Sequence, residues 1–151
     1  MSSEKSLYDF IDLTPYIRWN NLSSADGYYA GDELMLLRDA FDFTWIAMEM
    51  ESGYQGEWIA VFYVDNKWCL ANGYFGSCSG CDALEAEGYE VWLGNYLKNV
   101  RAFGKKEDAI EWLETTDDLA YETYSSYRPK EVMLRALKLF HFPFNEEAGS
   151  G

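Results

Sequence analysis

Histidine occurs once in this chain of 151 residues, and proline and cysteine three times each. A single imidazole excludes metal sites built on two histidines and leaves His141 alone for histidine-based acid–base chemistry. Three cysteines are an odd number, which argues against a secreted disulfide framework. No apolar run is long enough to span a bilayer, and no basic segment followed by an apolar core opens the chain. A cytoplasmic protein without membrane contact is therefore expected. A Gly-x-Ser-x-Gly elbow and a phosphate-binding Gly-x-x-x-x-Gly-Lys loop are both missing, and with them the sequence marks of the commonest hydrolases and nucleotidases. Basic residues are scarce: 12 Lys and Arg stand against 26 Asp and Glu, a formal charge of −14.

The charge is also unevenly placed. Residues 1–97 hold sixteen acids and only four bases, Lys5, Arg18, Arg38 and Lys67. Residues 98–151 hold ten acids and eight bases and are close to balanced. Such a field repels nucleic acid and anionic membranes and attracts basic protein surfaces. The chain is nonetheless no acidic tail. Six Trp, twelve Tyr and nine Phe call for a packed core, because disordered acidic segments lack aromatics.

The pattern along the chain predicts an α+β domain over residues 1–145, with 146–151 as a flexible tail. Residues 20–31 read as loop. Asp32 and Glu33 lead an apolar run that suits a short helix near 32–40. From Asp42 the period becomes two. Phe43, Trp45 and Ala47 are expected on one face of a strand, with Thr44, Ile46, Met48 and Met50 on the other. Glu57–Val64 is the next strand, with Ile59, Val61 and Tyr63 opposite Trp58, Ala60, Phe62 and Val64. Asp65-Asn66 suits a tight hairpin, and Lys67–Tyr74 returns from it. Asp82–Glu87 is read as a helical turn ended by Gly88. Tyr89–Leu93 and Tyr96–Phe103 are read as further strands. Helices are expected over Glu107–Thr115, running on toward Tyr121, and from Pro129 through Phe140. The whole predicts an antiparallel sheet of four to five strands with helices gathered toward the C-terminal end.

One loop carries dense chemistry: Gly76-Ser77-Cys78-Ser79-Gly80-Cys81-Asp82-Ala83-Leu84. Cys78 and Cys81 have the spacing that turns two thiolates toward one zinc ion, and Cys69 and His141 are the remaining nitrogen or sulfur donors. A redox pair is a second reading, opposed by the nearby Asp82, Glu85 and Glu87, which disfavour a thiolate. Small thiols filling the space beneath a tight turn is the third, and it needs no cofactor. Together with Tyr54-Gln55-Gly56, this loop resembles a class of small uncharacterised proteins of bacteriophages and mobile elements, over residues 54–85. The resemblance implies a viral setting in a host cytoplasm and transfers no catalytic residue.

His141, in Leu139-Phe140-His141-Phe142, is expected to cap helix carbonyls or pack in the core rather than to catalyse. Asp39/Asp42 and Glu49/Glu51 lack any EF-hand pattern. The acids point instead to an imitation of a phosphate backbone, where one charge falls in about every 1.7 Å of duplex. The candidate contact set is Asp26, Asp32, Glu33, Asp39, Asp42, Glu49, Glu51, Glu57, Asp82, Glu85, Glu87 and Glu90. Tyr28, Tyr29 and Tyr54 add contact area at low entropic cost. The expected function is that of a non-enzymatic phage inhibitor of anti-CRISPR or anti-restriction type, without cofactor. It would occupy the basic groove of a nucleic-acid-binding host protein and not bind nucleic acid itself. The alternative is a small zinc or thiol module built on the cysteine loop.

Overall fold

Strand β3 (Gly56–Val64) is apolar on both faces, and this decides the architecture. Trp58, Ala60 and Phe62 point one way and Ile59 and Val61 the other, and all five are buried. A strand of that kind must lie inside a sheet covered on both sides. In the computed structural model, which describes residues 8–22, 28–29, 31–51, 56–76, 83–116 and 128–141, it does. Five strands form one antiparallel sheet in the order β1-β5-β4-β3-β2. The others are β1 (Asp9–Ile11), β2 (Thr44–Met50), β4 (Lys67–Phe75) and β5 (Val100–Phe103). The helices are α1 (Glu33–Ala40), α2 (Ala83–Glu87), α3 (Tyr89–Tyr96), α4 (Lys106–Thr115) and α5 (Pro129–Leu139). The fold is α+β.

Two cores follow from the two faces. On the first face, Trp58, Ala60, Phe62, Cys69, Ala71 and Phe75 pack against Leu36 and Leu37 of α1, Leu84 of α2, and Trp92 and Leu93 of α3. On the second, Ile59, Val61, Trp68, Leu70 and Phe103 pack against Ala109, Trp112 and Leu113 of α4 and Met133 and Leu137 of α5. The alternation read from the sequence of β3 is the one observed. The hairpin after it is also as expected: Asp65 and Asn66 both take positive φ, 55° and 61°.

Three elements differ from the sequence reading. The register of β2 shifts between Trp45 and Ala47, where a bulge inserts Ile46. Strict alternation is lost there. Phe43, Trp45, Met48 and Met50 pack on the first face, and Ile46 and Ala47 on the second. Second, Tyr89–Leu93 is helical. Trp92 and Leu93 are buried together while Val91 is 49% exposed, which no strand would produce. Tyr89, Trp92, Leu93 and Tyr96 fall at helical spacing, and Gly88, at φ 90°, turns the chain from α2 into α3. Third, only Val100–Phe103 of the segment from Tyr96 is a strand. It pairs with β4 on one side and with β1 on the other. Residues 117–121, expected to extend α4, lie outside the described residues. Among the described residues, no helix is long and apolar enough to cross a membrane.

An aromatic stack ties α3 to the sheet. Trp92 stacks on Tyr96 at 5.0 Å, Trp58 lies 6.1 Å from Trp92, and the Tyr96 hydroxyl donates to the Asn72 carbonyl at 2.6 Å. Gly73 makes room for this. A Cβ there would meet the Tyr96 hydroxyl and stand 2.6 Å from the Trp58 ring. Gly73→Ala is therefore expected to destabilise the fold by about 1–3 kcal/mol, as overpacking does. Urea unfolding followed by tryptophan fluorescence measures it, and an unchanged midpoint would refute the close approach.

Candidate functional site

The helices over the first face and the residues flanking them carry seven of the twelve predicted carboxylates. Asp32 precedes α1, which begins with Glu33, because carboxylates are favoured at the positive end of a helix. Asp32 also fixes the preceding turn: the Tyr29 N–H donates to its side chain at 2.8 Å, and the Asp32 N–H donates back to the Tyr29 carbonyl at 3.0 Å. Tyr29 is left 55% exposed. Its neighbour Tyr28 is buried and spans two helices. Its hydroxyl donates to Asp39 of α1 at 2.7 Å, and its ring meets Tyr89 of α3 edge-on at 5.3 Å. Asp39 is thereby held beside the α2–α3 corner that bears Glu85, Glu87 and Glu90. Asp42, Glu87 and Glu90 are exposed, and among the described residues none of them makes an ion pair.

The helices on the two sides of the sheet differ in charge. The segments 32–42 and 83–96, which form and flank α1, α2 and α3, contain seven carboxylates and one base, Arg38. The segments 105–116 and 128–140, around α4 and α5, contain five carboxylates and six bases. The described ion pair, Lys138 to Glu114 at 3.2 Å, lies on this second layer. So do the Lys106 and Lys130 ammonium groups, which donate to the carbonyls of Phe140 and Thr116.

Not every predicted residue joins the acidic layer. Glu33 is wholly buried and Glu57 is 5% exposed, so neither offers its carboxylate to a docking partner. Glu49, Glu51 and Glu57 belong to the second face, because the bulge in β2 moves Glu49 and Glu51 to the side of Ile59. Asp26, Tyr54, Asp82, Cys78 and Cys81 lie outside the described residues. The residue that sequence reading missed is Tyr89. Its helical spacing with Trp92, Leu93 and Tyr96 was the available signal, masked by an equally good alternation of Tyr89, Val91 and Leu93.

The four-ligand zinc set does not assemble from its described members. The Cys69 side chain packs on the first face, within the core beneath α1–α3. His141 follows α5, which covers the second face, so the sheet separates the two. Burial pushes the Cys69 thiol up to about 12. Among the described residues, no three His, Cys, Asp or Glu side chains gather closely enough to hold a metal ion. His141 itself is exposed rather than packed, and it is Lys106 that takes the Phe140 carbonyl, at 3.0 Å.

Glu51 and Glu57 close the β2–β3 hairpin. The Glu51 N–H donates to the Glu57 carbonyl at 2.9 Å, and the Glu57 N–H donates to the Glu51 carboxylate at 3.1 Å. One oxygen of Glu57 is buried without a hydrogen-bond partner. Desolvation first, and the neighbouring Glu51 charge second, raise the Glu57 carboxyl above its usual range. A comparison with protein-family models, with curated proteins and with solved structures returns no match to this chain.

Two outcomes are expected. In the folded state Glu57 holds its proton at a pH where the unfolded chain, near the ordinary glutamate value of about 4.3, has lost it. Its contribution to stability is therefore present at low pH and is lost as pH rises through the raised folded value. Glu57→Gln should stabilise the protein at pH 7 by about 1 kcal/mol, an advantage that shrinks as pH falls toward 4.5. Urea midpoints of both proteins across that range test this, and a destabilised variant at pH 7 would refute it. Cys69 should resist iodoacetamide at pH 8 in the folded protein and react once urea unfolds it, as mass spectrometry of the Cys69 peptide would show.

Proposed function

We propose that this protein is a non-catalytic binding module whose acidic helical layer docks on a basic surface of another protein. The observation that supports it is the division of charge across the sheet: the α1–α3 layer is rich in carboxylates with one arginine among them, while the α4–α5 layer is balanced. Exposed Tyr29, Met35 and Val91 lie among those carboxylates and supply apolar contact. A patch of this composition complements the groove of a nucleic-acid-binding protein, where lysines and arginines await phosphates. The partner in this reading is such a protein, in a host cell that a phage or mobile element has entered. The contact set is then Asp32, Asp39, Asp42, Glu85, Glu87 and Glu90 with Tyr29. Charge steers the encounter, and the half-exposed apolar side chains hold the complex.

The experiment is capture of partners from host lysate with three proteins. These are the native chain, Asp42→Lys/Glu87→Lys/Glu90→Lys on the acidic layer, and Glu111→Lys/Glu131→Lys on the opposite layer. The native chain should retain a basic protein. Its affinity should fall at least about tenfold between about 50 and 200 mM salt. The acidic-layer variant should lose the partner and the opposite-layer variant should keep it. A partner that is not basic, a salt-indifferent complex, or equal loss in both variants would overturn the reading.

A further inference from the structure

The sheet ends at β2, and among the described residues nothing pairs with its outer edge. The direction of the backbone groups follows from the hairpin. Glu51 donates to Glu57 at 2.9 Å, and Glu49 and Ala47 stand opposite Ile59 and Val61. Alternation then turns the N–H and C=O of Met48 and Met50 away from β3. Beyond the bulge at Ile46 the regular edge, Ala47 to Met50, is about 14 Å long.

The side chains along this edge are suited to a partner. Trp45, Met48 and Met50 are half-buried over the first face, and Ile46 over the second. Natural edges are commonly blunted by lysine, proline, a bulge or a covering loop, and the bulge at Ile46 leaves the stretch from Ala47 to Met50 regular. Residues 42–51 contain neither lysine nor proline, and the charges they carry, Asp42, Glu49 and Glu51, are all negative. Asp42 and Glu49 are exposed.

We propose that the β2 edge takes up an extended basic peptide segment as an additional antiparallel strand. The backbone of the segment pairs with Met48 and Met50. Its apolar residues lie against Trp45 and the methionines, and its lysines or arginines face Glu49. A second copy of the chain is the poorer occupant. Each copy carries −14, and antiparallel self-pairing about the middle of the strand brings the Asp42 end of one β2 onto the Glu49–Glu51 end of the other. The inference goes beyond docking of the helical layer and does not depend on it, because its affinity comes from main-chain pairing on a separate edge.

The test uses a synthetic peptide of about nine residues alternating lysine and valine, long enough to match the edge. A second form is N-methylated on the backbone nitrogens of one edge. The readout is amide hydrogen exchange of the native protein. The unmodified peptide should slow exchange at Met48 and Met50 by at least about tenfold, and the methylated one should not. Glu49→Lys should weaken binding by about threefold or more. Met48→Pro removes an outward N–H and leaves the β3 ladder intact, so it should abolish binding. If that variant does not fold, the methylated peptide on the native protein still decides the matter. Equal binding of the two peptides, protection confined to α1–α3, or protection that grows with protein concentration without peptide would overturn the proposal. The last result would assign the edge to a second copy.

Discussion

The two-sided burial of β3 is the constraint from which the rest of the molecule follows. Its tryptophan, phenylalanine and aliphatic side chains leave neither face for water, so each face must be roofed by helices. Both roofs are amphipathic and, Glu33 apart, turn their charges outward. Since α1, α2 and α3 come from the acidic part of the chain and α4 and α5 from the balanced part, covering β3 also sorts charge to opposite sides. The electrostatic asymmetry is thus a by-product of core formation combined with the order of the sequence.

The acidic layer is held together by aromatic rings. Tyr28 is the clearest case, bonded to Asp39 through its hydroxyl and set against Tyr89 through its ring. The stack of Trp58, Trp92 and Tyr96 fixes α3 in the same way, and it depends on the missing side chain at Gly73. A surface fastened from beneath by rings can leave Asp42, Glu87 and Glu90 in water. At the hairpin of β2 and β3 the opposite arrangement occurs: Glu57 is drawn into the protein beside Glu51 and stands at a disadvantage at neutral pH.

The sheet was readable wherever one signal dominated. The double alternation of β3 and the Asp65-Asn66 turn identified the central meander, since few other conformations accommodate either. Tyr89–Leu93 was misread because its apolar residues satisfy both a period of two and a period of 3.6. The decision was made by Val91, which can stay in water on a helix but not on a buried strand face. The bulge at Ile46 left no mark, as an extra residue in an apolar strand changes nothing in composition. The acidity of the α1–α3 layer could be counted in advance. Its location could not, because whether Glu33 or Glu57 reaches the surface depends on what folds over it. Cys69 and His141 were separated by the same long-range fact: adjacent strands and helices sort to opposite faces only once the sheet exists.

Among the described residues, charge divided between the two roofs amounts to an electric dipole moment across the plane of the strands. In the field of a cationic body such a molecule experiences a torque as well as a pull. Rotational diffusion is then biased before the surfaces touch, and collisions begin with α1–α3 leading. If the α1–α3 layer is the one that docks, the polarity of the sheet's two coverings becomes a kinetic property, the fraction of encounters that arrive with that layer in front.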